Sequence, residues 1–337
     1  MATDGERRDL VAEEALEPDL AICDAHHHLW DRPDGRYMCD DFIEDAREHR
    51  VVSTVFVECM AGYRSDGPEA TRPVGETEFV DAIAEECLVE DPGVAVAAGI
   101  VGFADLRLGG AVAPVLEEHI AASPGRFRGV RHACGWDASP DIRISHTNPP
   151  EHLYLDATFR EGFACLETDG LVFDAWLYHP QLPEFIDLAR AFPGAPIVLD
   201  HFGGPLGIGP YAGKRDEIFV EWRTCIEELA QCPNVVMKLG GLLMPINGWG
   251  YHKQNQPPSS EELAAATAPY YLFCIEQFGV ERCMFESNFP VDKKTCSYTT
   301  LWNSFKRIAQ GCSAAEKAAL FHDTAVSVYK LDVGENP

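Results

Sequence analysis

Asp24-Ala25-His26-His27-His28-Leu29-Trp30 follows directly on the short apolar run Leu20-Ala21-Ile22-Cys23. In an extended backbone, alternate side chains share one side. A strand ending here therefore aims His26 and His28 at one point and His27 away from it. Two convergent imidazoles can hold a divalent metal or clamp an oxygen-rich substrate. In isolation the same stretch also reads as a His-rich surface turn, and the ends of the later apolar runs decide between the two.

Seven further runs resemble the first: Val51–Val57, Val94–Val101, Phe127–Arg131, Val172–Tyr178, Pro196–Asp200, Val235–Leu239 and Cys283–Glu286. Several are apolar almost throughout, as strands covered on both faces must be. Helical patterns lie between many of them. Glu76–Val89 brings Phe79, Ile83 and Cys87 to one face, and Arg215–Cys232 repeats Ile218, Trp222, Cys225, Ile226 and Leu229 at a 3.6-residue period. Ser259 with Glu262 reads as a capping box opening a helix through Ile275, and Ser313 with Glu316 opens another through Leu331. Alternating strands and helices of this number predict an α/β fold, a (β/α)8 TIM barrel with room for distortion. The expected organisation is a loose arm over 1–18, one barrel domain over 19–332 and a short tail over 333–337.

Active sites of such barrels lie at the C-terminal ends of the strands. In order, these ends carry His26 and His28; Glu58; Asp105; Arg131 and His132; Tyr178 and His179; Asp200 and His201, followed by Phe202-Gly203-Gly204-Pro205; Lys238 in Met237-Lys238-Leu239-Gly240-Gly241; and Asn288 in Phe285-Glu286-Ser287-Asn288-Phe289-Pro290. Trp30, Trp136, Trp249 and Tyr251 are expected in the pocket wall, and Trp176 in the core. Gly203-Gly204-Pro205 lacks the Lys-Ser/Thr of a phosphate-binding loop and reads as a loop at the barrel mouth.

A formal net charge of −27 over 337 residues argues against a nucleic-acid partner. No apolar run reaches the roughly 18 residues a membrane span needs, and the polar, acidic first residues do not read as a signal peptide. Twelve scattered cysteines without a CxxC pair suggest reduced thiols and a cytoplasmic location rather than a disulfide frame. The expected partner is a small-molecule substrate, and the homo-oligomeric state stays open.

The motifs Asp24-x-His26-x-His28-x-Trp30, Asp200-His201 with Gly-Gly-Pro, and Ser287-Asn288-Phe289-Pro290 span nearly the whole chain. Together they resemble the amidohydrolase superfamily, and within it the branch containing sugar lactonases and 2-pyrone-4,6-dicarboxylate lactonase. That resemblance implies a TIM-barrel hydrolase of a lactone or related carbonyl compound. Some relatives are decarboxylases, and members differ in their need for a metal. The family generally has aspartate where Asn288 stands, and an amide cannot take up a proton at neutral pH. The working carboxylate is therefore expected at Glu58.

The resulting expectation is a hydrolase of a small cyclic ester. Glu58 would be general base, with His201 and Asn288 at the reacting centre. Trp30, Arg131, His132, Tyr178, His179 and Lys238 would contact substrate, Arg131 as a carboxylate clamp. His26, His28 and His201 would hold one divalent metal, zinc first; without one, the same histidines would donate hydrogen bonds to the oxyanion. A metal-dependent decarboxylase of a small aromatic or unsaturated acid is the second reading. A barrel that binds a metabolite without turning it over is the third, kept open by Asn288.

Overall fold

The eight apolar runs form one parallel sheet whose order follows the chain. The computed structural model describes residues 13–33 and 35–332. The strands are β1 (Ile22–His27), β2 (Val51–Val57), β3 (Ala95–Gly102), β4 (Phe127–Arg131), β5 (Val172–Ala175), β6 (Ile197–Leu199), β7 (Val235–Leu239) and β8 (Cys283–Phe285). Two backbone hydrogen bonds close the last gap: Asn288 N–H donates to the His26 carbonyl at 2.9 Å and His28 N–H to the Phe289 carbonyl at 2.8 Å. The result is a nearly closed α/β barrel. The first strand runs four residues beyond the apolar run, so both His26 and His27 lie in it. Conversely, the fifth, sixth and eighth end earlier, leaving Trp176–Tyr178, Asp200 and Glu286 on the turns above.

Helices cover the outside, and several are opened by a capping side chain. In the helix Ser260–Phe278, the Ser259 hydroxyl accepts from Glu262 N–H while the Glu262 carboxylate accepts from Ser259 N–H. The helix Arg215–Leu229 turns Ile218, Trp222, Ile226 and Leu229 inward. The Ser313 capping box opens the last helix, which a π-helical turn over Ala319–Asp323 interrupts before Thr324–Val328. One large apolar layer fills the space between sheet and helices. A smaller one inside the barrel, including Cys23, Val55, Val101, Val172, Val198 and Met284, packs against Tyr329 and Leu331 from the C-terminal segment.

Of the expected arm, residues 1–12 lie outside the described residues, as does the tail 333–337. Residues 13–17 are bound down. Glu13 accepts from Ser260 N–H and Asn303 Nδ2, and Lys306 donates to the carbonyls of Leu16 and Glu17. The cysteine reading needs one correction. Cys39 and Cys87 are disulfide-bonded, joining the helix Cys39–Ala46 to the helix Val74–Glu90, whereas the other ten are free. Both partners stand on neighbouring helices that sequence spacing alone does not bring together. Among the described residues, no helix is long and apolar enough to cross a membrane.

Candidate active site

Alternation at the end of β1 separates the three histidines His26, His27 and His28. His26 and His28 face the barrel axis with ring centroids 4.9 Å apart, while His27 turns outward against Phe42 and Thr54. At the opposite wall, Asp200 and His201 leave the end of β6. His201, Phe202, Gly203 and Gly204 all take left-handed backbone angles, so the chain turns sharply and swings the His201 ring inward, its centroid 4.5 Å from that of His26. The neighbouring glycines make room for it. A Cβ on Gly241 would stand 2.2 Å from His201 Nδ1, and one on Gly240 would stand 2.3 Å from Glu286 Cγ. The Lys238-Leu239-Gly240-Gly241 motif therefore supplies a buried cation followed by the space in which His201 and Glu286 meet.

Glu286 is the residue that the sequence reading passed over. Its Oε1 lies 2.6 Å from His201 Nδ1, and its Oε2 lies 3.0 Å from His26 Nδ1. Burial raises its pKa, but His201 and His26 outweigh this and hold the carboxyl at about 2. A signal was present: Glu286 stands two residues before Asn288, on the same side of an extended chain. Asn288 itself lies at the mouth, buried, with no hydrogen-bond partner for its Nδ2.

Below this layer, Lys238 Nζ donates to Asp174 Oδ2 at 2.6 Å and lies 3.3 Å from both Asp200 Oδ1 and His26 Nδ1. Tyr329 OH donates to Asp174. Burial lowers the Lys238 pKa, but Asp174, Asp200 and Glu286 outweigh it and raise the value. Lys238, expected to contact substrate, is fully buried and is not among the residues lining the cavity; it faces Asp174, Asp200 and His26. Arg131 is similarly engaged. Its Nε donates to Glu58 Oε1 at 2.8 Å and its Nη2 to the Glu58 carbonyl at 2.6 Å, with Nη1 3.3 Å from His26 Nε2 and 3.5 Å from Asp200 Oδ2. The geometry expected for a substrate carboxylate is thus filled by Glu58.

Glu58, the expected general base, faces Arg131 with one oxygen and His146 with the other. Burial raises its pKa, but Arg131 and His146 outweigh it and hold the carboxyl at about 2. His132 and His179 stand away from the cavity. His132 Nδ1 accepts from Leu106 N–H and His179 Nδ1 from Leu206 N–H. Burial leaves both rings with pKa values lowered to about 4.

A cavity of about 970 Å³ opens above these groups, lined by residues including His28, Trp30, Arg131, Arg143, His146, Trp176, Tyr178, His201, Asn288 and Lys294. Trp30 and Tyr178 stand in its wall as expected. Trp176, expected in the core, stands there too, because β5 ends one residue before it; its ring meets His201 edge-on at 5.0 Å. Trp136, Trp249 and Tyr251 are not among the lining residues, and Arg215 lies 3.6 Å over the Trp249 ring. His146 and Arg143 come from the long connection after β4, where no periodicity marks them.

His26, Asp200 and His201 offer ligand atoms within 4.8 Å of one another, all buried. His28, expected in the donor set, is not in this group, whereas Asp200 is; His28 Nδ1 donates to the Val57 carbonyl at 2.7 Å, which leaves Nε2 as its free ring nitrogen. The surroundings suit a cation. Neither Asp200 oxygen receives a directed hydrogen bond. Among the described residues, the carboxylates Glu58, Asp174, Asp200 and Glu286 face Arg131 and Lys238 as fixed cations, a surplus of two negative charges that one divalent ion would cancel.

The amidohydrolase family model matches residues 23–331. The chain is 34% identical over 335 residues to the uncharacterised protein y4mH of Sinorhizobium fredii, covering 93% of this chain and 99% of that one. It is 32% identical over 238 residues to an L-fucono-1,5-lactonase of Burkholderia multivorans, covering 69% and 72% respectively. Among solved structures, an amidohydrolase from Burkholderia multivorans with bound zinc superposes with a TM-score of 0.68 at 26% identity, covering 92% of this chain and 99% of that one. A putative 2-pyrone-4,6-dicarboxylic acid hydrolase from Pseudomonas putida shares the fold, with a TM-score of 0.61 at 21% identity over 93% and 98% of the two chains.

Proposed function

Starting from the fact that this chain belongs to the amidohydrolase family and is a hydrolase, we propose that it opens a small lactone by attack of water at the barrel mouth. The observation that carries this reading is the meeting of His26, Asp200, His201 and Glu286 in one buried layer directly beneath the cavity. The lactonase names of two relatives, an L-fucono-1,5-lactonase and an L-rhamnono-gamma-lactonase from Scheffersomyces stipitis, agree with it.

The residues divide by position. Trp30, Trp176 and Tyr178 present ring faces and edges that suit a small cyclic substrate. Arg143 and Lys294 place positive charge at the mouth of a strongly acidic chain, favouring a substrate that carries an anionic or oxygen-rich group. Glu286 orients the rings of His26 and His201, and Lys238 with Arg131 keeps Asp200 ionised. His26, Asp200 and His201 are the residues that would hold a divalent metal, zinc being the first candidate. When bound, such an ion lowers the pKa of water and polarises a carbonyl.

The test is proton release from a panel of five- and six-membered lactones, including aldonic-acid lactones, in lightly buffered solution. Ring opening yields one proton for each lactone consumed at neutral pH. His201→Asn should lower kcat by roughly 10²-fold or more while the protein stays folded. Carbon dioxide release from aromatic acids, with no lactone turned over, would replace hydrolysis by decarboxylation.

A further inference from the structure

Glu58 lies wholly inside the barrel, yet one of its oxygens reaches a side chain that opens on the cavity. Oε1 is taken by Arg131 Nε. Oε2 stands 3.1 Å from His146 Nε2, within ion-pair range though off the line of a directed hydrogen bond. His146 lines the cavity and keeps 22% of its side chain accessible. Its ring meets Phe103 edge-on at 6.4 Å. With Nε2 turned to Glu58, Nδ1 is the ring nitrogen left for a substrate. The arrangement is a carboxylate–imidazole pair, its anion buried and its imidazole at the mouth.

The other polar groups of the wall are less suited to deliver a proton. Tyr178 OH donates to the Arg143 carbonyl. The Arg131 donors are engaged by the protein. His28 is kept neutral by burial, reinforced by His26 and Arg131, which together hold its pKa well below the usual imidazole range. Glu58, held at about 2, stays ionised and presents an anion to His146 Nε2.

We propose that His146, oriented by Glu58, is the general acid that protonates the ring oxygen as the lactone opens. This rests on the lactone reading above. The oxygen of water bonds to the carbonyl carbon, and its proton is released to solvent through the open cavity. As the tetrahedral adduct collapses, the bond between the carbonyl carbon and the ring oxygen breaks and its electron pair stays on that oxygen. The oxygen takes the proton from His146 Nδ1, giving a hydroxy acid, and the exposed imidazole regains a proton from solvent.

Two six-membered lactones separate this role from a structural one. δ-Valerolactone expels an alkoxide, which needs a proton. Dihydrocoumarin expels a phenoxide, which needs little help. His146→Gln should lower kcat on δ-valerolactone by roughly 10²-fold, lower it only a few-fold on dihydrocoumarin, and leave KM nearly unchanged on both. Adding free imidazole to His146→Gly should restore part of the lost δ-valerolactone rate. Equal losses on the two lactones, no loss on either, or no imidazole rescue in a folded His146→Gly protein would overturn the assignment while leaving lactone hydrolysis standing. A wild-type protein that opens neither these nor the aldonic lactones would remove the lactone reading and the acid with it.

Discussion

Glu286 Oε1 stands 2.6 Å from His201 Nδ1, joining the end of β8 to the end of β6. Asn288, at the position where an aspartate was expected, cannot accept a proton. The carboxylate nearest the histidines is two residues back along the same strand end. Glu286→Gln keeps the size but removes the charge that orients both His26 and His201. The expected outcome is a fall in lactone kcat of roughly 10²-fold. Retention of near-normal kcat would show that the histidines need no anionic partner. Asn288→Asp alone should not compensate, because the two side chains occupy different places.

For Glu58, the expected consequence is first one of stability. Glu58→Gln leaves Arg131 buried without its principal anion. Removing one member of a buried pair costs on the order of 3–5 kcal/mol, and the lower end is expected here, since Asp200 still faces Arg131 at 3.5 Å. Urea unfolding of wild type and variant measures this. An unchanged midpoint would mean that the Arg131 charge is satisfied elsewhere.

The proposed ligand set of His26, Asp200 and His201 predicts that metal uptake depends on Asp200. Protein stripped with chelator and titrated with zinc should take up one ion. Asp200→Asn should weaken uptake by roughly tenfold or more, and by more than His28→Ala does. The reverse order of the two variants would return His28 to the ligand set.

Stability should fall on mild acidification. Thr54 Oγ1 accepts from Ala97 N–H and stands 2.7 Å from His27 Nε2, while His27 Nδ1 is buried without a partner among the described residues. Burial holds His27 at about 3, below its unfolded value of about 6.5. The unfolded chain therefore takes up the proton first as pH falls. The stability is complete above pH 6.5 and declines between there and the folded value, by about 1.4 kcal/mol per pH unit in that window. At pH 5 the loss from this one group is about 2 kcal/mol. His49, also lowered to about 3 by burial and Lys306, adds in the same direction. Urea midpoints at pH 7 and pH 5 check this, and His27→Asn should flatten the difference; identical midpoints in the wild type would sink the claim.

From the sequence, the apolar runs determined the eight strands and their order, and period-2 alternation in β1 separated His26 and His28 from His27. Those are local properties: alternation and continuous apolarity follow from a strand buried on both faces, whatever its neighbours are. Capping boxes placed two helix starts for the same reason. The tertiary structure decided who meets whom across the barrel. Arg131 was legible as a cation at a strand end, but only the adjacency of β2 and β4 around β3 gave its donors to Glu58 rather than to a substrate. Lys238 was legible as buried charge, but its carboxylate partners, Asp174 and Asp200, come from two other strands. Glu286 looked like the last residue of an apolar run until closure of β8 on β1 set it between His26 and His201. His146 sits on a long connection without periodicity, and only the fold of that connection over the mouth brings it to Glu58. Burying so many charges in one layer requires pairing across strands far apart in sequence, and such pairings leave no spacing for the chain itself to show.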